Sequence, residues 1–259
     1  MKIELTQDWE LVNRVLNTPE MLAAVCPDGV AALDAKALDD GTRIFLKVQR
    51  EEEGETLGVF VLQRKFPGVF EVHTCLTKEC RGATAVRAGK LGVEWMFLNT
   101  EAVRLYSMCP DSNSASMHYA FAVGFRQAFH RAQLWQKGGK MEGATVVELT
   151  VQQWAYKNAG RFHALGKKLH DEVFAHRWEH HGEDPLHEGM VGLAMEMGRL
   201  QPAKAEEVYA VWATAAGYAP FKILGRQRNG GFLVDLREAL AIYRPETRTM
   251  EIIKDYVCQ

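Results

Sequence analysis

The sequence has neither a long hydrophobic run nor an excess of positive charge. Its longest apolar runs, such as AVWATAAGYA, are much shorter than the roughly 20 residues that a membrane-spanning helix needs. The first ten residues, MKIELTQDWE, lack the apolar core of a secretory signal. A formal net charge of −2 gives no indication of binding to nucleic acid or to an anionic membrane surface. We therefore expect a cytoplasmic protein with neither a membrane nor a nucleic-acid partner.

Cysteine is scarce, and its five positions show no CxxC spacing. An odd number of cysteines without such a motif is typical of reduced thiols in a cytosol-like compartment. Of the 259 residues, 47% are hydrophobic and 25% are charged, which is ordinary for a globular protein. The chain is long enough for one large domain or for two smaller ones.

The first 154 residues alternate between patterns that are typical of strands and of helices. After a first strand, KIEL, Thr6 is placed to cap a helix over DWELVNRVLNTPEML. Three apolar runs follow, RIFLKVQ, LGVFVLQR and VFEVHTCL. Their separators, EEEGET and KFPG, are turn sequences, so the runs predict an antiparallel meander. The later patterns complete the order β-α-β-β-β-α-β-α-β-β.

A strand changes into a helix within EVHTCLTKECRGATAVRAGK. The first backbone N–H groups of a helix have no internal acceptor, and the helix dipole is positive at that end. Small residues after Arg81 would let an anion approach these amides, and Arg81 can add charge-assisted hydrogen bonds. Arg87 and Lys90 share one helix face and are placed to hold a further phosphate. The alternative is an ordinary helix start with cations on its surface.

A second stretch, NSASMHYAFAVGF, places Asn113 eleven residues before Gly124 in a helix that follows a strand. With the R-G turn, this resembles the GNAT superfamily of acyl-CoA N-acyltransferases, in which a strand runs into an R-G-x-G-x-G/A turn. The resemblance extends over residues 1 to about 154. Within the superfamily, the sequence most resembles divergent GNAT proteins encoded by tailed bacteriophages. It implies an α/β (α+β) fold with a mixed, mostly antiparallel central sheet flanked by helices. It also implies acetyl-CoA-dependent transfer of an acyl group to an amine.

The resemblance further implies where acetyl-CoA binds. In the family the turn holds the pyrophosphate, and the backbone at the end of the preceding strand, near Leu76 here, stabilises the oxyanion. The implied cofactor-binding residues are Leu76, Arg81, Gly82, Ala83, Thr84, Ala85, Arg87 and Asn113. For Asn113, a cap of the following helix is an equally good interpretation.

The candidate catalytic residues are Glu71, His73 and Leu76. An amine must lose a proton before it attacks a thioester, so a base is needed. Glu71 and His73 are the candidates, because they alternate onto one face of their strand together with Cys75. The alternative is that the two side chains form the polar outer face of a half-exposed strand.

Some positions depart from the family pattern. Thr84 and Val86 stand where the turn has small residues, and Ala120 stands where many members have a tyrosine that protonates the leaving thiolate. Tyr119 is one residue away and is turned by about 100° around the helix. These departures support an alternative function: a non-catalytic bacteriophage structural protein that retains the fold and is built into the virion rather than left in the host cytoplasm.

Residues 155–259 do not resemble the acyltransferase fold and form a second predicted domain, which is mainly helical. We expect it to serve in assembly or substrate selection, with a second copy of the chain or other phage-particle proteins as partners. GGFLVDLREALAIY is predicted as a strand or a short helix, and TMEIIKDYV as a final strand. The spacing of this region's histidines matches no metal motif, so we predict no metal site: His163, His170, His176, His180, His181 and His187.

Overall fold

The computed structural model of the protein describes residues 1–26, 28–51, 54–167, 185–199, 201–216, 222–227, 231–235, 239–244 and 249–255. The chain divides into two compact units. The first comprises Met1–Met96 and Ala102–Thr150, and the second comprises Phe97–Glu101 and Val151–Gln259. The predicted boundary between residues 154 and 155 stays a prediction.

The first unit contains a seven-stranded sheet in the order β1-β2-β3-β4-β5-β7-β6. All neighbouring strands are antiparallel except β4 and β5, which are parallel. This confirms the mostly antiparallel sheet, and the seven strands follow one another along the chain as predicted, but three helices stand between the first two strands where one was predicted. The elements are β1 (Lys2–Leu5), α1 (Trp9–Leu16), α2 (Pro19–Val25), α3 (Ala35–Leu38), β2 (Arg43–Gln49), β3 (Thr56–Phe66), β4 (Val69–Leu76), α4 (Ala83–Asn99), β5 (Arg104–Pro110), α5 (Ser114–Val123), β6 (Arg126–Lys137) and β7 (Lys140–Thr150).

The cap of α1 differs from the prediction. The helix begins at Trp9, so its N-cap residue is Asp8, whose Oδ1 accepts a hydrogen bond of 3.0 Å from the amide of Leu11. Thr6 lies two residues too early for that role, and its hydroxyl oxygen accepts from the amide of Asp8 instead. A carboxylate at the N-cap also interacts favourably with the helix dipole.

The two faces of the sheet carry different helices. On one face, the buried side of α1 packs in a core cluster with Phe45, Val59, Val61 and Cys75. On the other face, the ring of Phe60 lies directly against Gly92 of α4. Because side chains alternate along a strand, Glu71 and His73 share the face of Cys75, and Val72 and Thr74 share the face of α4.

The second unit contains helices and a small sheet. Its helices are α6 (Val151–Asn158), a 3₁₀ turn (Ala159–Phe162) that leads into helical residues 163–167, α7 (Pro185–Gly198) and α8 (Pro202–Ala216). Its antiparallel sheet has the order β11-β10-β9-β8, from β8 (Lys222–Arg226), β9 (Phe232–Asp235), β10 (Ala239–Arg244) and β11 (Thr249–Asp255). The segment GGFLVDLREALAIY thus forms two strands, and the predicted final strand is confirmed as β11.

Several sequence features of the second unit lie outside the described residues, among them His170, His176, His180 and His181. Within the described ranges, no group of three or more histidine, cysteine or acidic side chains comes together to hold a metal ion. No helix in the same ranges is long and apolar enough to cross a membrane. Cys26, Cys75, Cys80 and Cys109 are buried free thiols, and Cys258 lies outside the described residues.

Candidate functional site

Strands β4 and β5 separate after a short pairing. They are in register only at Val69–Arg104, Phe70–Leu105 and Glu71–Tyr106. One residue further, the Ser107 hydroxyl donates a hydrogen bond of 2.9 Å to the carbonyl oxygen of Val72. Beyond it β4 continues to Leu76 beside β3, and β5 continues to Pro110 beside β7. The result is a V-shaped gap with its apex at Val72 and Ser107 and its mouth at Leu76 and Pro110.

The backbone of β4 presents polar groups to this gap. The amide of Thr77 donates to the carbonyl of Leu57 on β3. Residues of an antiparallel pair alternate between hydrogen-bonded and non-hydrogen-bonded positions. Val72, Thr74 and Leu76 are therefore at the positions whose N–H and C=O groups point away from β3, and the Ser107–Val72 bond agrees with this direction. The amide of Leu76 thus points into the mouth.

A cavity of about 130 Å³ occupies the gap and reaches both faces of the sheet. From the α1 face it is lined by Glu71 and His73, and from the α4 face by Val72 and Thr74. Strand β5 and helices α4 and α5 supply most of the remaining wall, and Ala24 of α2 and Trp135 of β6 also contribute. A ligand inside it can therefore contact groups that approach from opposite faces of the sheet.

The turn between β4 and α4 is held together by Arg81. Its Nη1 donates hydrogen bonds to the carbonyl oxygens of Leu76 at 2.7 Å, Thr77 at 2.7 Å and Cys80 at 3.2 Å. Gly82 follows with φ of +57°, a conformation that favours glycine. Helix α4 begins at Ala83, so the amides of the next residues have no acceptor within the helix.

Glu71 is buried and paired. Only 3% of the residue is exposed, and its Oε2 lies 2.9 Å from Nζ of Lys65. The Tyr106 hydroxyl also hydrogen-bonds to Glu71; burial, together with the negative charge of Glu71, raises the pKa of this tyrosine. The alternative of a solvent-facing strand surface is therefore wrong for Glu71.

His73 is half-buried beside this pair, with Nε2 at 3.9 Å from Oε1 of Glu71. Burial lowers the pKa of His73 below its usual value, and the positive charges of Lys65 and Arg43 lower it further. The negative charge of Glu71 opposes this shift. The lowered pKa favours the neutral imidazole of His73 at pH 7, since the ordinary pKa of histidine is already about 6.5.

A clasp joins α2 to the hairpin formed by β6 and β7. The carboxylate of Asp28 accepts hydrogen bonds from the amides of Gly138 at 3.1 Å and Gly139 at 2.8 Å. Nζ of Lys137 donates to the carbonyl oxygens of Ala23 and Cys26. The clasp connects the two elements that carry Ala24 and Trp135, and so it holds this part of the cavity wall in place.

The same architecture occurs in solved acetyltransferases. A mutant of spermidine N-acetyltransferase SpeG from Vibrio cholerae matches with a TM-score of 0.52 and 12% identity, over 61% of this chain and 99% of that chain. A spermidine N-acetyltransferase from the same organism, in complex with CoA and spermine, matches with 0.52 and 12%, over 59% and 96%. A GNAT-family acetyltransferase from Bacillus anthracis has 16% identity, covers 58% and 95%, and has a TM-score of 0.49.

The chain has the GNAT acetyltransferase fold over about three fifths of its length. No protein-family profile matches the sequence. No curated protein sequence matches it either. Nothing in the GNAT fold bears on the alternative of a non-catalytic phage structural protein, so that alternative and the phage resemblance stay predictions.

Within the GNAT fold, the predicted site residues occupy two regions. Leu76, Arg81 and Gly82 form the turn at the mouth, and α4 adds its first-turn residues, Ala83, Thr84 and Ala85. Arg87 follows in α4 with its side chain exposed. Glu71 and His73 lie nearer the apex of the gap. Asn113 caps α5, because its Oδ1 accepts from the amide of Ser116 at 3.1 Å, and it also lines the cavity.

The helix position that many GNAT enzymes give to tyrosine is Ala120, and both Ala120 and Tyr119 line the cavity. Tyr119 is turned by about 100° around the helix from residue 120, but its long side chain still reaches the cavity. Its hydroxyl hydrogen-bonds to Thr74 and occupies the space beside Gly89, where a Cβ would collide with it. Burial raises the pKa of Tyr119.

Two cavity residues had no recognisable signal in the sequence, and a third had one that could not be interpreted. Thr74 and Ser107 are small polar residues in strands, where no pattern distinguishes a ligand contact from an ordinary one. Gly89 was visible, because glycine inside a helix is unfavourable and commonly has a packing reason. The sequence did not show that the reason is the side chain of Tyr119.

Proposed function

We propose that the protein transfers an acyl group from a CoA thioester to an amine. The observation that carries this is the early separation of β4 and β5, which opens a cavity through the sheet and reaches both of its faces. A thioester and an amine can enter such a passage from opposite faces and meet inside it. The GNAT fold and the CoA complex of a similar structure support the choice of CoA.

The pyrophosphate of CoA would bind at the turn between β4 and α4. Gly82 and the amides of Ala83, Thr84 and Ala85 offer N–H donors at the positive end of the helix dipole. Arg81 acts on this turn through the three carbonyl oxygens that it binds, which keeps them directed away from an incoming anion. Arg87, exposed on the next turn of α4, would contact a further phosphate.

The acyl carbonyl would lie at the mouth, beside Leu76. The Leu76 amide points into the gap, so it can donate to the oxyanion that forms when the amine attacks. Asn113, at the start of α5, would contact the pantetheine arm on the same side of the cavity. Acetyl-CoA is the simplest donor that satisfies these contacts.

His73 is the better candidate for the base. Glu71 is already engaged by Lys65 and Tyr106. His73 has a lowered pKa and lines the cavity from the α1 face, opposite the face of α4. Glu71 would orient and tune the imidazole rather than take the proton. The leaving thiolate, whose thiol pKa is about 8.5 by analogy with cysteine, can accept its proton from water.

The role of the second unit in assembly or in acceptor selection stays a prediction, and so does the acceptor itself. The acyltransferase proposal is testable without knowing either, because it requires a specific CoA site at one helix start.

Calorimetry with acetyl-CoA tests this site. Ala83→Glu would place a carboxylate among the first-turn amides, where it suits the helix dipole but repels phosphate. We expect wild type to bind acetyl-CoA and Ala83→Glu to lose at least tenfold in affinity, about 1.4 kcal/mol. Ala115→Glu, in the exposed first turn of α5, is the matched control and should bind like wild type. No binding by wild type at millimolar acetyl-CoA would end the proposal.

A further inference from the structure

The polarity of the cavity changes from the mouth to the apex. Helix α5 begins next to the mouth, four residues after Pro110, and its cavity-lining residues therefore mark depth along the gap. Asn113 and Ser116 come first and are polar. Val123 comes last, and at 1.5 Å per residue it lies about 15 Å along the helix from Asn113.

The deep end is apolar on the α4 face. Val72 of β4, Val93 of α4, Val123 of α5 and Phe125 line it, and we call this part the apolar recess. Each of the four is buried, with between 6% and 9% of its surface exposed. None of these side chains has a hydrogen-bond donor or acceptor, so the recess suits a hydrocarbon group and not a polar one.

The passage towards the recess runs beside Ala120. This residue precedes Val123 by three positions, so both lie on one face of α5, and both line the cavity. The neighbouring Tyr119 is held to one side by Thr74 and the space at Gly89. A methyl group at residue 120 therefore leaves a route that a larger side chain would obstruct.

We propose that the apolar recess receives the hydrocarbon tail of the acyl group. This inference rests on the proposed acyl transfer from CoA and names its donor class. The whole cavity, mouth included, has a volume of about 130 Å³, somewhat below the ~150 Å³ of an apolar cavity that binds benzene. A tail of about four carbons, which needs only the deep part of this volume, therefore makes better use of the recess than the two carbons of an acetyl group, since each buried methylene adds favourable transfer free energy.

Calorimetry with free CoA, acetyl-CoA, butyryl-CoA and hexanoyl-CoA tests the proposal. We expect butyryl-CoA to bind about fifteenfold more tightly than acetyl-CoA, because each of its two additional methylenes contributes about fourfold in affinity when buried. Val93→Ala enlarges the recess and should shift the preference towards hexanoyl-CoA. Val15→Ala is the matched control: it is a valine with the same 6% exposure, but it packs on the other face of the sheet.

Ala120→Phe makes the opposite change, because it should obstruct the route to the recess. It should reduce the affinity for butyryl-CoA to that for acetyl-CoA, while free CoA still binds. Equal affinities of wild type for the three thioesters, with free CoA bound, would overturn the acyl-tail proposal and leave acyl transfer standing. An unchanged chain-length preference in Val93→Ala would overturn the assignment to this recess. No binding of free CoA or of any thioester would overturn both proposals.

Discussion

Nη1 of Arg81 donates a hydrogen bond of 2.7 Å to the carbonyl oxygen of Leu76, the last residue of β4. The same nitrogen also binds two carbonyl oxygens of the following turn. One side chain thus fixes the end of the strand that borders the gap and the turn that precedes α4. Arg81 thus positions the backbone of the turn, and its predicted contact with phosphate stays a prediction.

Replacing Arg81 by alanine should weaken CoA binding although no phosphate contact of its Nη1 is removed. The three carbonyl oxygens would lose their donor, and the turn would no longer hold its amides in one arrangement. We expect a loss of about tenfold or more in affinity for acetyl-CoA, measured by calorimetry. Lys78→Ala is the control, because its side chain in the same turn is 90% exposed. Equal affinities for the two variants would contradict this role.

The pH dependence of the reaction should report His73. Its pKa is lowered by burial, so the rate constant kcat/KM should fall only below about pH 6.5, where the imidazole becomes protonated. Glu71→Gln removes the charge that raises this pKa. The fall of kcat/KM on the acidic side of its pH profile should therefore move to lower pH. The assay is the release of free CoA thiol with a panel of primary amines.

Matched variants separate the base from its neighbour. His73→Gln should reduce kcat by about a hundredfold or more, as expected for a positioned general base. His118→Gln, at an exposed histidine on α5, should leave it unchanged. A collapse of activity in Glu71→Gln with little effect in His73→Gln would assign the base to Glu71.

Tyr119→Phe should change kcat less than about fivefold, far below the effect of a positioned general acid. The hydroxyl is held by Thr74, and burial raises its pKa, which makes it a poorer proton donor. A reduction of a hundredfold would show that Tyr119 protonates the thiolate in place of a tyrosine at residue 120. The exposed Tyr156, replaced in the same way, is the control.

Gly192→Ala should destabilise the second unit. A Cβ at this position would collide with the carbonyl oxygen of Phe162, a backbone atom that cannot move aside cheaply. We expect the free energy of unfolding to fall by about 1–3 kcal/mol in urea titrations. Gly160→Ala has no atom within 4 Å of the added Cβ and should be close to neutral. Equal stabilities would mean that the helices can separate without cost.

Lys204 should make stability depend on pH in the alkaline range. Its Nζ donates to the carbonyl oxygens of Phe97 and Thr100, and burial lowers its pKa from 10.5 to about 8. Between these values the unfolded chain binds a proton that the folded chain has released, so stability rises with pH across this window. Lys204→Met should lose this rise relative to wild type in urea unfolding at pH 8, 9 and 10. Parallel curves for the two proteins would contradict the lowered pKa.

Local patterns were sufficient for much of the fold. The alternation in VFEVHTCL and the turn sequences before it predicted the meander, because the period of side chains in a strand is two and tight turns demand a few residue types. The change from strand to helix after Arg81 was predicted on the same basis. GGFLVDLREALAIY was predicted only as a strand or a short helix, since short apolar runs do not distinguish a strand from a helix.

The sequence by itself determined the chain order of the strands in the first unit and the position of the turn before α4, because both depend on neighbours along the chain. Only the tertiary structure decided that Glu71 is buried against Lys65, that Arg81 binds carbonyl oxygens, and that Tyr119 reaches the cavity. These outcomes depend on which side chains fill the space between β4, β5 and the two helices beside them. Such packing brings together residues that are distant in sequence, so no local pattern records it.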